Sequence, residues 1–147
     1  MPGELGCNQE MLNIRTILKV PDQSKPFLVQ THASNKATAG TLLQQHEGTL
    51  YHCFYASRIL KDRERNYAII ELEMLAIIFA LDKFSNDLLM KPFLIQTDHT
   101  PLSFLKENKS KNARLTRWAL AIQQYSFSVQ HIKGSNNILS DTLSRRN

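Results

Sequence analysis

The sequence predicts an α/β fold built on a mixed sheet, from three observations. An octapeptide, Lys25-Pro-Phe-Leu-Val-Gln-Thr-His32, recurs as Lys91-Pro-Phe-Leu-Ile-Gln-Thr-Asp98. Three strand-like runs follow one another between Phe27 and Ser57, and from Asn66 to Phe84 the apolar period becomes helical with no glycine or proline. The resulting order, βββαβαβα, fits a mixed sheet with helical crossovers better than a doubly wound parallel one.

Residues 1–24 lack sustained periodicity and end in the turn-like Val20-Pro-Asp-Gln-Ser24, so they are expected to be a lead-in, with the folded domain at 25–147. The strands are expected at Phe27 to Thr31, Ala39 to Gln45 and Thr49 to Ser57, with His46-Glu47-Gly48 short enough for a hairpin turn. Along the helix, about 100° per residue puts Glu73 on the arc of Ile69, Ile77, Ala80 and Phe84, and sends Glu71 toward solvent beside Asp82. Leu75, Ile78 and Phe79 make most of the circumference apolar, so the core side is not uniquely fixed. A glutamate on an apolar arc is costly unless ligated or hydrogen-bonded, which makes Glu73 a candidate site residue. A fourth strand follows at Phe93 to Thr97, then a helical turn from Pro101, a helix at Asn112 to Gln124, a strand at Ser126 to Ile132, and a terminal helix at Ile138 to Arg145 carrying Asp141.

Laid parallel and adjacent, the two repeat strands would bring His32 and Asp98 together at one end of the sheet, where sites of α/β folds gather. The alternative is an ordinary turn histidine at the end of a core strand.

At 147 residues and 42% hydrophobic content the chain makes about one domain with a core that needs no staples. Its two cysteines have no disulfide or zinc spacing, and no apolar run approaches the roughly 20 residues that span a bilayer. A soluble protein in a reducing setting, cytoplasmic or nuclear, with no membrane partner is expected. A net charge of +5 suggests an anionic partner. The cations concentrate at Lys106, Lys109, Lys111, Arg114 and Arg117, against the single Glu107 and just before Trp118, a pattern suited to phosphates. Gln44 is one of the amides that could meet a 2′-hydroxyl.

His32, Glu73, Asp98 and Asp141 together resemble the active site of ribonuclease H domains, specifically those of gypsy-type LTR retrotransposon reverse transcriptases. The matching text is Pro21-Asp-x-Ser-Lys-Pro-Phe27, Tyr55-Ala-Ser-Arg58, Glu64-Arg-Asn-Tyr67, Glu73-Met-Leu-Ala-Ile77, Thr97-Asp-His-Thr-Pro-Leu102, Arg114-Leu-x-Arg-Trp118 and Asp141-Thr-Leu-Ser-Arg145. It covers about residues 18 to 146, in the family's order.

The resemblance implies a five-stranded mixed sheet of order 3-2-1-4-5, and an endonuclease that cuts the RNA strand of RNA:DNA hybrids during reverse transcription. It also implies a polymerase domain in a longer Pol polyprotein, and four carboxylates holding two Mg²⁺ ions about 4 Å apart. Three carboxylates map onto Glu73, Asp98 and Asp141. Where the family has Asp-Ala-Ser, this chain has His32-Ala33-Ser34. Magnesium demands oxygen ligands, so impaired or lost hydrolysis is expected, with Mn²⁺ the better-suited ion. The alternative is a noncatalytic nucleic-acid-binding or scaffold module. His131 resembles a mobile product-release histidine of some ribonucleases H, but its strand position favours an ordinary polar strand residue.

Overall fold

The structure is a computed structural model that describes residues 18–97 and 113–131. Its elements in chain order are β1 (Phe27–Ala33), β2 (Ala37–His46), β3 (Thr49–Ile59), a 3₁₀ turn (Asp62–Asn66), α1 (Ile69–Lys83), the short α2 (Ser85–Leu88), β4 (Phe93–Thr97), α3 (Ala113–Ile122) and β5 (Phe127–His131). None of the described helices is long and apolar enough to cross a membrane.

The chain enters β1 through a turn closed by Asp22, whose carboxylate accepts from the Ser24 backbone N–H at 2.9 Å and from its hydroxyl at 2.6 Å. Pro26 stands at the mouth of the strand. Glu47 and Gly48, at φ 52° and 82°, make the two-residue hairpin that joins β2 to β3. Positive φ at both places matches the right-handed twist of the flanking strands. The register shifts between Leu42 and Leu43, so that Cys53 is the extra residue of a bulge in β3.

The sheet runs β3-β2-β1-β4-β5, the expected order. The repeated octapeptide pairs with itself in parallel and in register: Phe27 faces Phe93, Leu28 faces Leu94, Val29 faces Ile95 and Gln30 faces Gln96. Because β2 is antiparallel to both β1 and β3, strands β3, β1, β4 and β5 all point the same way. Helix α1 carries the chain from the end of β3 back toward the start of β4, so it runs against the strands. Its first turn therefore lies at the end where β1 and β4 finish.

Val29, Leu42, Met74, Ile77, Ala80, Leu81 and Ile95 form the core between α1 and the sheet. Full burial of each large aliphatic chain contributes about 1.5–3 kcal/mol. Tyr125 reaches back to donate its hydroxyl to the Leu81 carbonyl at 3.1 Å, tying the end of α3 to α1.

Three expectations are corrected. The stretch 66–84 is not one helix: a 3₁₀ turn ends at Asn66 and α1 starts at Ile69. Glu71 does not face solvent but is 7% exposed, while Ile69, assigned to the core arc, is 70% exposed. Gln44 is fully buried: its amide donates to the carbonyls of Asp22 and Lys25, and its oxygen accepts from the Asp22 N–H at 2.8 Å. It fastens the lead-in to β2 and has no face to offer a ribose. The terminal helix expected at 138–145 and the helical turn from Pro101 lie outside the described residues.

His52 is buried with neither ring nitrogen hydrogen-bonded among the described residues. Burial pushes its pKa down from 6.5 to about 4. The unfolded chain therefore takes up the proton first, so the stability is full above pH 6.5 and falls as pH drops toward 4. His52→Leu should remove this penalty, raising stability at pH 5 by up to about 2 kcal/mol and by little in that respect at pH 7. Urea midpoints at the two pH values check it; equal shifts at both would contradict it.

Candidate active site

His32 is the sixth residue of β1, half-buried, and pairs across to Ala39 of β2. Glu73 is the fifth residue of α1 and is 9% exposed. The topology above brings these two to one end of the sheet, the end where Thr97 closes β4 beside β1. Asp98, Asp141, Lys106, Lys109 and Lys111 lie outside the described residues. His131 ends β5, in line with the strand position read from the sequence.

The face of β1 that carries His32 also carries Gln30, two residues earlier. Gln30 donates its side-chain amide to Gln96 at 2.8 Å, and Gln96 donates to Gln130 at 2.8 Å. This amide ladder crosses β1, β4 and β5 and fixes their register on the polar face of the sheet.

Two other buried glutamates at this end are structural. Glu64 accepts both guanidinium nitrogens of Arg58, at 2.7 and 2.8 Å, and the backbone N–H of Lys61 at 2.7 Å. The Arg58 bonds, with help from Lys61, hold its pKa down at about 2. Glu71 repeats the device one element later. It accepts the Ala68 N–H at 3.0 Å, capping the start of α1, and Arg114 of α3 at 2.5 Å. The Arg114 guanidinium also lies 3.9 Å from the centre of the Tyr67 ring.

The sequence placed Arg114 and Arg117 together in the basic cluster, and the structure separates their settings. Arg114 is held by Glu71 and Tyr67, whereas Arg117 is exposed. Arg114→Ala should lower stability by about 2 kcal/mol, since it strips a buried carboxylate of a charged hydrogen bond. Arg117→Ala should stay within about 0.5 kcal/mol of wild type. Urea denaturation of the two variants side by side checks the distinction, which equal losses would refute.

The glutamate devices left a partial trace in the sequence. A glutamate three residues into each element, Glu64 after Lys61 and Glu71 after Ala68, is the spacing of a helix-start cap. Nothing local pairs Glu71 with an arginine on another helix. Cys53 offers no alternative chemistry, because burial pushes its thiol up to about 11.

Residues 22–125 match the family described as the RNase H-like domain found in reverse transcriptase. The chain is 42% identical over 129 residues to the Retrovirus-related Pol polyprotein from transposon 297 of Drosophila melanogaster, a match covering 88% of this chain and 12% of the relative. It is 39% identical over 132 residues to the corresponding polyprotein from transposon gypsy of the same fly, covering 89% and 12%. The chain thus spans about an eighth of the length of these relatives.

Among solved structures, the foamy viral protease-reverse transcriptase in complex with dsDNA aligns with a TM-score of 0.63 at 20% identity, over 79% of this chain and 25% of that one. LC11-RNase H1 in complex with an RNA/DNA hybrid aligns with a TM-score of 0.57 at 16% identity, over 80% and 92%. These two show a shared fold. With the family match over the strand, hairpin and helix segments just described, they mean that the chain belongs to the RNase H-like domains of reverse transcriptases, with gypsy-type retrotransposon Pol polyproteins as its relatives.

Proposed function

We propose that this domain binds RNA:DNA hybrids as the RNase H-like part of a retrotransposon Pol polyprotein, and that its hydrolysis of the RNA strand is impaired by His32. The observation that carries the reading is the position of His32: it stands on the central strand, at the end of the sheet that also receives Glu73. The hybrid bound by LC11-RNase H1 supports the choice of ligand.

The described donors do not fit two magnesium ions. They comprise one carboxylate, Glu73, and one imidazole, where the ion prefers oxygen throughout. Neutral His32 supplies a single nitrogen, no negative charge and no pair of oxygens to bridge two ions. Even with Asp98 and Asp141 included, three negative charges would stand against a combined metal charge of four. Mn²⁺ accepts imidazole more readily. The same donor chemistry favours the second reading, a binding module in which the fold and basic surface outlast the hydrolase.

Hybrid affinity should come mainly from phosphate contacts by Lys106, Lys109, Lys111 and Arg117. It should therefore fall about a hundredfold between roughly 50 and 200 mM salt and depend weakly on sequence. Fluorescence anisotropy with a labelled hybrid measures this, with Lys109→Glu/Lys111→Glu as the probe. Binding that ignores both salt and charge reversal would overturn the proposal, as would no binding at low salt.

A further inference from the structure

Between the 3₁₀ turn and α3 opens a cleft of about 360 Å³, lined by Arg63, Glu64, Tyr67, Arg114, Arg117 and Trp118. Its one lining carboxylate is already neutralised, because Glu64 is gripped by Arg58. Arg114 is engaged by Glu71. Arg63 and Arg117 are exposed and, among the described residues, meet no carboxylate. The aromatic wall is formed by Tyr67 and Trp118, whose rings lie 6.3 Å apart and tilted by 58°. Two available guanidinium groups beside an aromatic wall suit a ligand that has both a negative charge and a flat π face. A nucleotide has both.

Position and size narrow the ligand further. The cleft adjoins the first turns of α1 and α3, which Glu71 and Arg114 bring into contact. It is therefore at the same end of the sheet as His32 and Glu73. Its volume admits about one nucleotide and cannot admit a duplex, whose bases are stacked on each other and present no free face. Unpaired bases stack on aromatic side chains with little regard for sequence.

We propose that this cleft receives one unpaired nucleotide of a single-stranded extension leading off the bound duplex, its phosphate held by Arg63 and Arg117 and its base against Trp118. The inference rests on the proposed reading that the domain binds nucleic acid, and it adds a preference for junctions between duplex and single strand.

Trp118 is the chain's single tryptophan, so intrinsic tryptophan fluorescence reports on the cleft directly. Titration with a short oligothymidylate should quench that fluorescence. A hybrid with a single-stranded extension should bind about tenfold more tightly than the same hybrid with blunt ends. In Arg63→Gln/Arg117→Gln, checked for folding by circular dichroism, the quench should vanish and the ratio of the two affinities should fall to about one. The ratio stays informative even where the substitutions weaken duplex binding itself. If blunt hybrid binds but the extension adds nothing and Trp118 does not respond, the cleft assignment is overturned and the hybrid-binding reading stands. A quench by oligothymidylate that needs the arginines, with no hybrid binding, would uphold the cleft and overturn that reading. An extension effect that persists in the double variant would also overturn the cleft assignment.

Discussion

Gly40→Ala should destabilise the domain by about 1–3 kcal/mol, and Gly40→Val by more, because β2 and α1 are already in contact at this residue. A Cβ on Gly40 would fall 2.6 Å from the Ala80 Cβ and 3.3 Å from the Ala80 Cα. Neither of those atoms can rotate away, so the helix itself must retreat. Helix α1 also carries Glu73, two turns before Ala80, and a displaced helix moves that carboxylate relative to His32. Stability and site geometry are therefore coupled through one glycine. Ala80→Gly alone should cost about 1 kcal/mol in helix propensity. Combined with Gly40→Ala it should restore part of the loss, a non-additivity that a double-mutant cycle measures. A neutral Gly40→Ala, or strictly additive effects, would show that helix and strand are more loosely packed than this contact requires.

The sheet was legible because its signals are local. The repeated octapeptide announced two equivalent strands, and in the structure they pair residue for residue from Phe27 with Phe93 to Gln30 with Gln96. Glu47-Gly48 announced the hairpin. Where expectation failed for Glu71 and Gln44, the cause was a partner distant in sequence. A helical wheel put Glu71 opposite Glu73 and hence toward solvent, but α3 covers that flank of α1, and the arginine that neutralises Glu71 is 43 residues away. Gln44 looked like a free amide on a strand; its partners are Asp22, in the lead-in that carries no periodic signal, and the backbone carbonyl of Lys25 just before β1. His32 and Glu73 were legible as candidates by residue type and position. The separate roles of Arg114 and Arg117 were not, since both read as cations on one helix three residues apart.

His32→Asp should produce the largest functional change of any single substitution. An aspartate at the end of β1 would add the negative charge and the pair of oxygens that imidazole lacks, bringing the set of Glu73, Asp98 and Asp141 to a charge of about −4 opposite two divalent ions. Altering groups that only support a metal's ligands typically changes affinity or activity by about 10–100-fold, so returning a ligand should raise Mg²⁺-dependent cleavage by roughly 100-fold or more. Hybrid binding in the absence of metal should change little, since the substitution removes none of the phosphate-binding cations. With Mn²⁺ in place of Mg²⁺, the gap between wild type and variant should narrow, because Mn²⁺ tolerates the imidazole.

The most direct measurement is cleavage of an RNA:DNA hybrid labelled on its RNA strand, in Mg²⁺, by wild type and His32→Asp at concentrations where anisotropy shows both to be saturated with hybrid. The expected result is little or no cleavage by wild type and clear cleavage by His32→Asp. Efficient Mg²⁺-dependent cleavage by wild type would contradict the account, and so would a folded, hybrid-bound His32→Asp that leaves the RNA strand intact.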